Sequence, residues 1–176
     1  MAVLVAAVCV VGLLGVVNLL FSFGLVRRLR EHTAILDRVS SGPDQVMLPA
    51  GGRVGEFSAV TIEGAAISRQ GLGADTLVGF VSTTCSACVE RLPEFVRFAK
   101  RHTGPVLGVV VGSGDEAAAM IGALAGVATV VQEPGGGPVA TAFEVKAFPA
   151  FGLLDAGGVV RASGLVPEAL TAAAPA

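Results

Sequence analysis

Apolar residues along this chain fall into distinct regimes. From Ala2 to Val26 no charged side chain occurs, and only Asn18 and Ser22 are polar. At about 1.5 Å per residue, a helix of that length exceeds a hydrocarbon core of roughly 30 Å, so the run predicts a membrane-spanning helix over residues 1–26. Leu29, Ile35, Leu36 and Val39 then stand among charged residues, the pattern of a short helix leaving the membrane surface, which Ser41-Gly42-Pro43-Asp44 ends. Residues 27–52 therefore read as a juxtamembrane helix and a Gly- and Pro-rich linker. From Arg53 onward the pattern changes to short runs. Phe57 to Ile62 and Ala65 to Ser68, broken by Glu63-Gly64, predict a small hairpin. Leu77 to Ser82 is a buried-strand pattern, Cys85 to Arg101 a helix, and Val106 to Val111 a β-branched strand. Asp115 to about Ala125 predicts a helix, Val127 to Val131 a strand, and Val139 to Phe143 a short helix. Ala150 to Leu154 and Val159 to Ala162, joined by Asp155-Ala156-Gly157-Gly158, predict a hairpin, and Pro167 to Ala173 a last helix.

Strand, helix, strand, helix, strand, helix and a closing hairpin make an α/β layer architecture for residues 53–176, with a mixed central sheet flanked by helices and at least one parallel pair. There is no internal repeat. The chain has 176 residues, is 53% hydrophobic and lacks Trp and Tyr, and much of its apolar excess lies in the first segment. A cleaved signal peptide is the rival reading of that segment, but a basic region before it is missing and its apolar run is longer than such peptides carry. Arg27, Arg28 and Arg30 follow the span directly, which by the positive-inside rule argues for a cytoplasmic remainder. The chemistry below argues for the opposite side, where disulfides persist; the two arguments conflict, and the expectation carried forward is a single-pass protein in the cell membrane with an extracytoplasmic redox domain. A net charge of −2 gives no nucleic-acid surface.

The chemistry sits in Thr83-Thr84-Cys85-Ser86-Ala87-Cys88, where a strand hands over to a helix. Unpaired N–H groups and the dipole at a helix start favour negative charge, so a cysteine there is drawn toward the thiolate that attacks disulfides. Cys88, one turn in, is better shielded and close enough to form a tight disulfide with Cys85. Half of a zinc site and a purely structural disulfide remain alternatives for such a pair. Cys9, His32 and His102 are the only further Cys or His, and none repeats a metal-ligand spacing. Cys9 reads as a small apolar residue in the bilayer and His102 as a helix cap. Pro93 reads as a kink in the active helix, Gly135-Gly136-Gly137 as a loop, and Glu90 and Glu94 as a solvated face that could alternatively shuttle protons to Cys88.

Cys85-Ser86-Ala87-Cys88 after a strand, Pro93 five positions beyond the second cysteine, and Ala147-Phe148-Pro149-Ala150-Phe151 before a strand and a Gly-containing turn resemble the thioredoxin fold. More narrowly, the apolar first segment, the lead-in hairpin and the closing Phe-Pro-x-Phe-x-Leu-Leu-Asp-x-x-Gly resemble the membrane-tethered TlpA-like or MauD-like thiol:disulfide oxidoreductases, over roughly Arg53 to Ala173. Thr84 stands where most TlpA-like members have Trp, and the Ser-Ala dipeptide is nearer the MauD-like variants. The resemblance implies Cys85 as nucleophile, Cys88 as resolving cysteine, and a cis Pro149 facing the dithiol, with Phe148 pairing with the incoming substrate chain. It implies no cofactor beyond a redox-active Cys85–Cys88 disulfide and no metal. Its expected partners are a client protein bearing a disulfide or dithiol, a membrane-embedded or soluble thiol electron donor, and the bilayer through residues 2–26. General disulfide exchange and maturation of one client, such as a dehydrogenase subunit or a cytochrome, are both open. A peroxide-reducing enzyme on the same fold is disfavoured because the chain has no Pro-x-x-x-Thr-x-x-Cys pattern.

Overall fold

Strand β3, Leu77–Ser82, is buried along its whole length and is the middle of a five-stranded sheet. The computed structural model describes residues 45–170, together with Met1 and Gly12. The expected membrane span, the juxtamembrane helix with its arginines, Cys9, His32 and the end of the last helix lie outside the described residues. Among the described residues, no helix is long and apolar enough to cross a membrane.

The sheet order is β5-β4-β3-β6-β7, with β4 at Val106–Val111, β5 at Thr129–Glu133, β6 at Ala150–Leu154 and β7 at Val160–Gly164. Strands β3, β4 and β5 are parallel, in register from Leu77 opposite Val106 to Ser82 opposite Val111. Strand β6 runs antiparallel to β3, placing Phe80 opposite Ala150. A strand inside a sheet covered on both faces must be apolar on both, which is why Leu77 to Val81 shows no alternation.

Successive side chains nevertheless feed different cores. Leu77 and Val81 join Leu92 and Phe95 of helix α1 (Ser86–Arg101), Met120 and Leu124 of helix α2 (Asp115–Leu124), and Leu170 of a closing 3-10 turn. Val78 and Phe80 point the other way, into a core with Val139, Ala140 and Ala142 of helix α3 (Pro138–Ala142), and Phe143 beyond it. Gly79 makes room for helix α1: a Cβ there would lie 2.6 Å from Phe95 Cζ. The Phe95 ring fills that space and stacks on Phe151, with centroids 5.0 Å apart. Burying such a ring contributes about 1.5–3 kcal/mol.

The lead-in hairpin forms as β1 (Ser58–Val60) and β2 (Ala66–Ser68), paired antiparallel. Thr61 bridges to Val131, so the hairpin covers the outer edge of β5 and leaves fewer open strand groups there. Asp155 closes the β6–β7 hairpin by accepting the N–H groups of Gly157 and Val159, both at 2.8 Å. The Val159 bond in particular holds its carboxyl below the usual carboxylate range.

Residues 46–48 fall in the stretch expected to be linker as far as Gly52, yet they belong to the folded domain. Val46, Met47 and Leu48 are buried in the core beside Val78 and Phe143, and the domain is already under way at residue 46. Their backbone is held by distant partners: Leu48 N–H donates to Phe143 O at 3.0 Å, and Val46 O accepts from Lys146 N–H at 2.7 Å. Strand β5 also lies later than expected, at 129–133, and the last element among the described residues is a 3-10 turn over Pro167–Leu170.

Candidate active site

The end of β3 sets the site. Thr83 N–H continues the ladder by donating to Val111 O at 3.1 Å, and its side chain lies over Gly112, where any Cβ would collide with it. Cys85 N–H then turns back to Ser82 O at 3.2 Å. Cys85 is thereby left as the N-cap of α1, in extended conformation, with its sulfur accepting the Cys88 N–H at 3.2 Å. A donor of the first helical turn thus points at the sulfur.

The two cysteines differ in surroundings. Cys85 is half-buried and its thiol lies 3.3 Å from the carbonyl oxygen of Phe148. The Phe148–Pro149 peptide bond is cis. Cys88 is completely buried, packed with Val81, Leu92 and Phe95, and its sulfur accepts the Ser82 N–H at 3.4 Å. Burial first, and then the neighbouring Cys85 sulfur, push the Cys88 thiol up to about 12, against an opposing pull from the Ser82 N–H. Cys88 is therefore a protonated thiol at neutral pH.

Sites separated by 63 residues in sequence, Cys85 and Phe148, meet here. Ser82 is a participant that the sequence reading passed over. Its buried hydroxyl pairs with Thr84 Oγ1 at 3.1 Å and accepts Thr84 N–H at 3.4 Å, which fixes the two-threonine approach to Cys85. The available signal was a polar residue at the end of an otherwise apolar buried strand. Glu90 and Glu94 do not face Cys88. They stand two and six residues along the helix, on other faces, and Glu94 is paired with Arg91 at 2.9 Å. His102 does end the helix, its N–H reaching Ala99 O and Phe98 O, and its ring Nε2 bonds to Asp75 O at 2.6 Å. Among the described residues, no group of three or more His, Cys, Asp or Glu converges as a metal site.

No family model matches the chain, and no curated protein matches it by sequence. Solved structures do match. A thiol-disulfide oxidoreductase from Bacteroides fragilis is 21% identical with a TM-score of 0.57, over 69% of this chain and 96% of that one. The thioredoxin domain of a thiol-disulfide oxidoreductase from Bacteroides vulgatus is 20% identical with a TM-score of 0.56, over 70% of this chain and 93% of that one. StoA from Bacillus subtilis is 23% identical with a TM-score of 0.51, over 64% and 88%. The fold is thus thioredoxin-like, and many of the chains that share it are thiol-disulfide oxidoreductases.

Proposed function

We propose that this chain is a membrane-anchored thiol:disulfide oxidoreductase of the TlpA-like or MauD-like kind, acting through Cys85 and Cys88. The observation that carries the reading is the asymmetric pair: a half-buried sulfur capping a helix and facing the Phe148 carbonyl, above a fully buried thiol one turn on. The Cys85 thiolate attacks one sulfur of a partner disulfide, forming a Cys85–partner disulfide and releasing the other partner sulfur as a thiolate, which takes a proton from water. Cys88 then gives its proton to the hydroxide left by that step and attacks the Cys85 sulfur. The Cys85–Cys88 disulfide forms, the second partner thiolate leaves, and the partner has gained two electrons. Run in reverse, the same steps oxidise a client dithiol. The Phe148 carbonyl lies 3.3 Å from the reacting sulfur and the cis Pro149 follows it, so in this reading the client chain passes beside these two residues.

In this reading residues 2–26 hold the domain at the cell membrane on the extracytoplasmic side, and a thiol donor, soluble or membrane-embedded, restores the dithiol. The test is Cys88→Ser, which removes the resolving thiol. It is expected to accumulate a partner on Cys85 that dithiothreitol releases. A reactive Cys85 that captures nothing sinks the exchange mechanism. The same trap separates general exchange from the alternative of a maturation factor, which captures one dominant client.

A further inference from the structure

We infer that the apolar groove between α1 and α2 is the seat of the client polypeptide, and that it selects clients with large apolar side chains two to five residues from the reacting cysteine. The inference rests on the oxidoreductase reading and deepens it. The groove encloses about 630 Å³ and is lined by Val89, Leu92, Pro93 and Val96 of α1 and by Ala119 and Met120 of α2, among others. Arg97 and Glu116 bring one charge of each sign to it, so it does not select for net charge.

What commits the groove to the client is its continuity with the dithiol. Val89 directly follows Cys88, and it lies four residues after Cys85, one turn along the same side of the helix. Leu92, Pro93 and Val96 extend that stripe, so the wall of the groove begins one helical turn beyond the nucleophile. Val89 is 63% exposed, unlike the other valines of the sheet and helices around the site. Pro93 is exposed and Val96 half-buried beside it, and a contiguous apolar stripe of this kind marks a contact surface. Leu92 and Met120 are 7% and 4% exposed and form the floor, and the unbranched Met side chain adapts to varied occupants.

Geometry sets the register. Along the helix, Val89 to Val96 lie about 6 to 16 Å from the Cys85 position at ~1.5 Å per residue. An extended client covers that span in about two to five residues at ~3.3 Å each. A client held by its disulfide at Cys85 therefore lays residues at those offsets against the stripe.

The test compares, on the full chain, two synthetic peptides that carry one cysteine as a mixed disulfide with a chromogenic thiol. One peptide has Leu at the second to fifth positions on both sides of the cysteine, the other Ser. Oxidised glutathione serves as a disulfide too short to reach the groove. The wild-type chain is expected to react about tenfold or more faster with the Leu peptide. Val89→Ser and Ala119→Phe, both at exposed positions, are expected to abolish that preference and leave the glutathione rate unchanged. Equal rates on the two peptides, or a preference that both variants retain, overturns the groove while exchange itself stands. A dimer in sedimentation that Ala119→Phe dissociates assigns the groove to a second copy and likewise overturns the client. Loss of exchange with every disulfide, glutathione included, instead overturns the oxidoreductase reading.

Discussion

The backbone N–H of Ser82 lies 3.4 Å from the sulfur of Cys88, at the point where the buried central strand ends. It meets that sulfur beside Cys85, in a nest otherwise made of Val81, Leu92 and Phe95. The rest of that environment opposes charge, and the Cys88 thiol is pushed up to about 12. Reduced protein treated with iodoacetamide at neutral pH is therefore expected to be modified at Cys85 and not at Cys88, as tandem mass spectrometry of the tryptic peptide that carries both cysteines would show. Rapid labelling of Cys88 in the folded chain would contradict its burial.

The same shift couples stability to alkaline pH. The folded value stands above the ordinary value of 9.0, so the folded chain holds this proton more tightly than the unfolded one. The stability that results is complete below about pH 9 and is lost as pH rises toward 12. Urea unfolding of the reduced chain at about pH 8 and about pH 10.5 is expected to show a fall that Cys88→Ala diminishes.

Ser82→Ala keeps the N–H that meets Cys88 but removes the hydroxyl that holds Thr84. The expected cost is about 1 kcal/mol, the net worth of a buried hydrogen bond. Exchange with oxidised glutathione is expected to slow as the approach to Cys85 loosens. An unchanged exchange rate would show that the Thr84 contact does not position the nucleophile.

Gly79→Ala sets a methyl group against the Phe95 ring, whose nearest atoms would stand at 2.6–2.9 Å. Displacing a ring that is stacked on Phe151 is expected to destabilise the fold by about 1–3 kcal/mol, seen as a lower denaturation midpoint. Because Phe95 also packs with Cys88, this variant is expected to make Cys88 more accessible to alkylation.

Glu133 is a buried carboxylate at the end of β5 that accepts the N–H groups of Val139 and Ala140 at 3.0 and 2.8 Å. It thereby satisfies the first turn of α3. Glu133→Ala leaves those donors without their acceptor and is expected to cost about 1–3 kcal/mol, with Glu133→Gln, which keeps one oxygen, costing less.

The strands that pass through the middle of the sheet were legible because burial on both faces demands an unbroken apolar run, and Leu77–Ser82 and Val106–Val111 supply one. Strand β5 was displaced by two residues in the sequence reading because Gln132 and Glu133 look like the start of a loop. Only the three-dimensional position of α3 makes a buried Glu133 intelligible. The dithiol and its helix start could be read locally from Cys85-Ser86-Ala87-Cys88. The 3.3 Å approach of Phe148 O could not be read locally and was expected only through the resemblance, since it depends on a strand pairing across the sheet. The groove escaped for the same reason: Val89 and Met120 look like ordinary helix residues until two helices are set side by side.

Val46 has a consequence for any attempt to isolate the domain. Its carbonyl accepts the N–H groups of Lys146 and Ala147, the residues that lead directly into Phe148 and Pro149. The entrance of the chain into the domain and the loop beside the reactive sulfur are thus fastened to one another. A soluble fragment cut at Arg53, where the linker was expected to end, would lose Met47 from its place over Gly152 and Val78 and leave that loop untied. A fragment beginning ahead of Gln45 retains both.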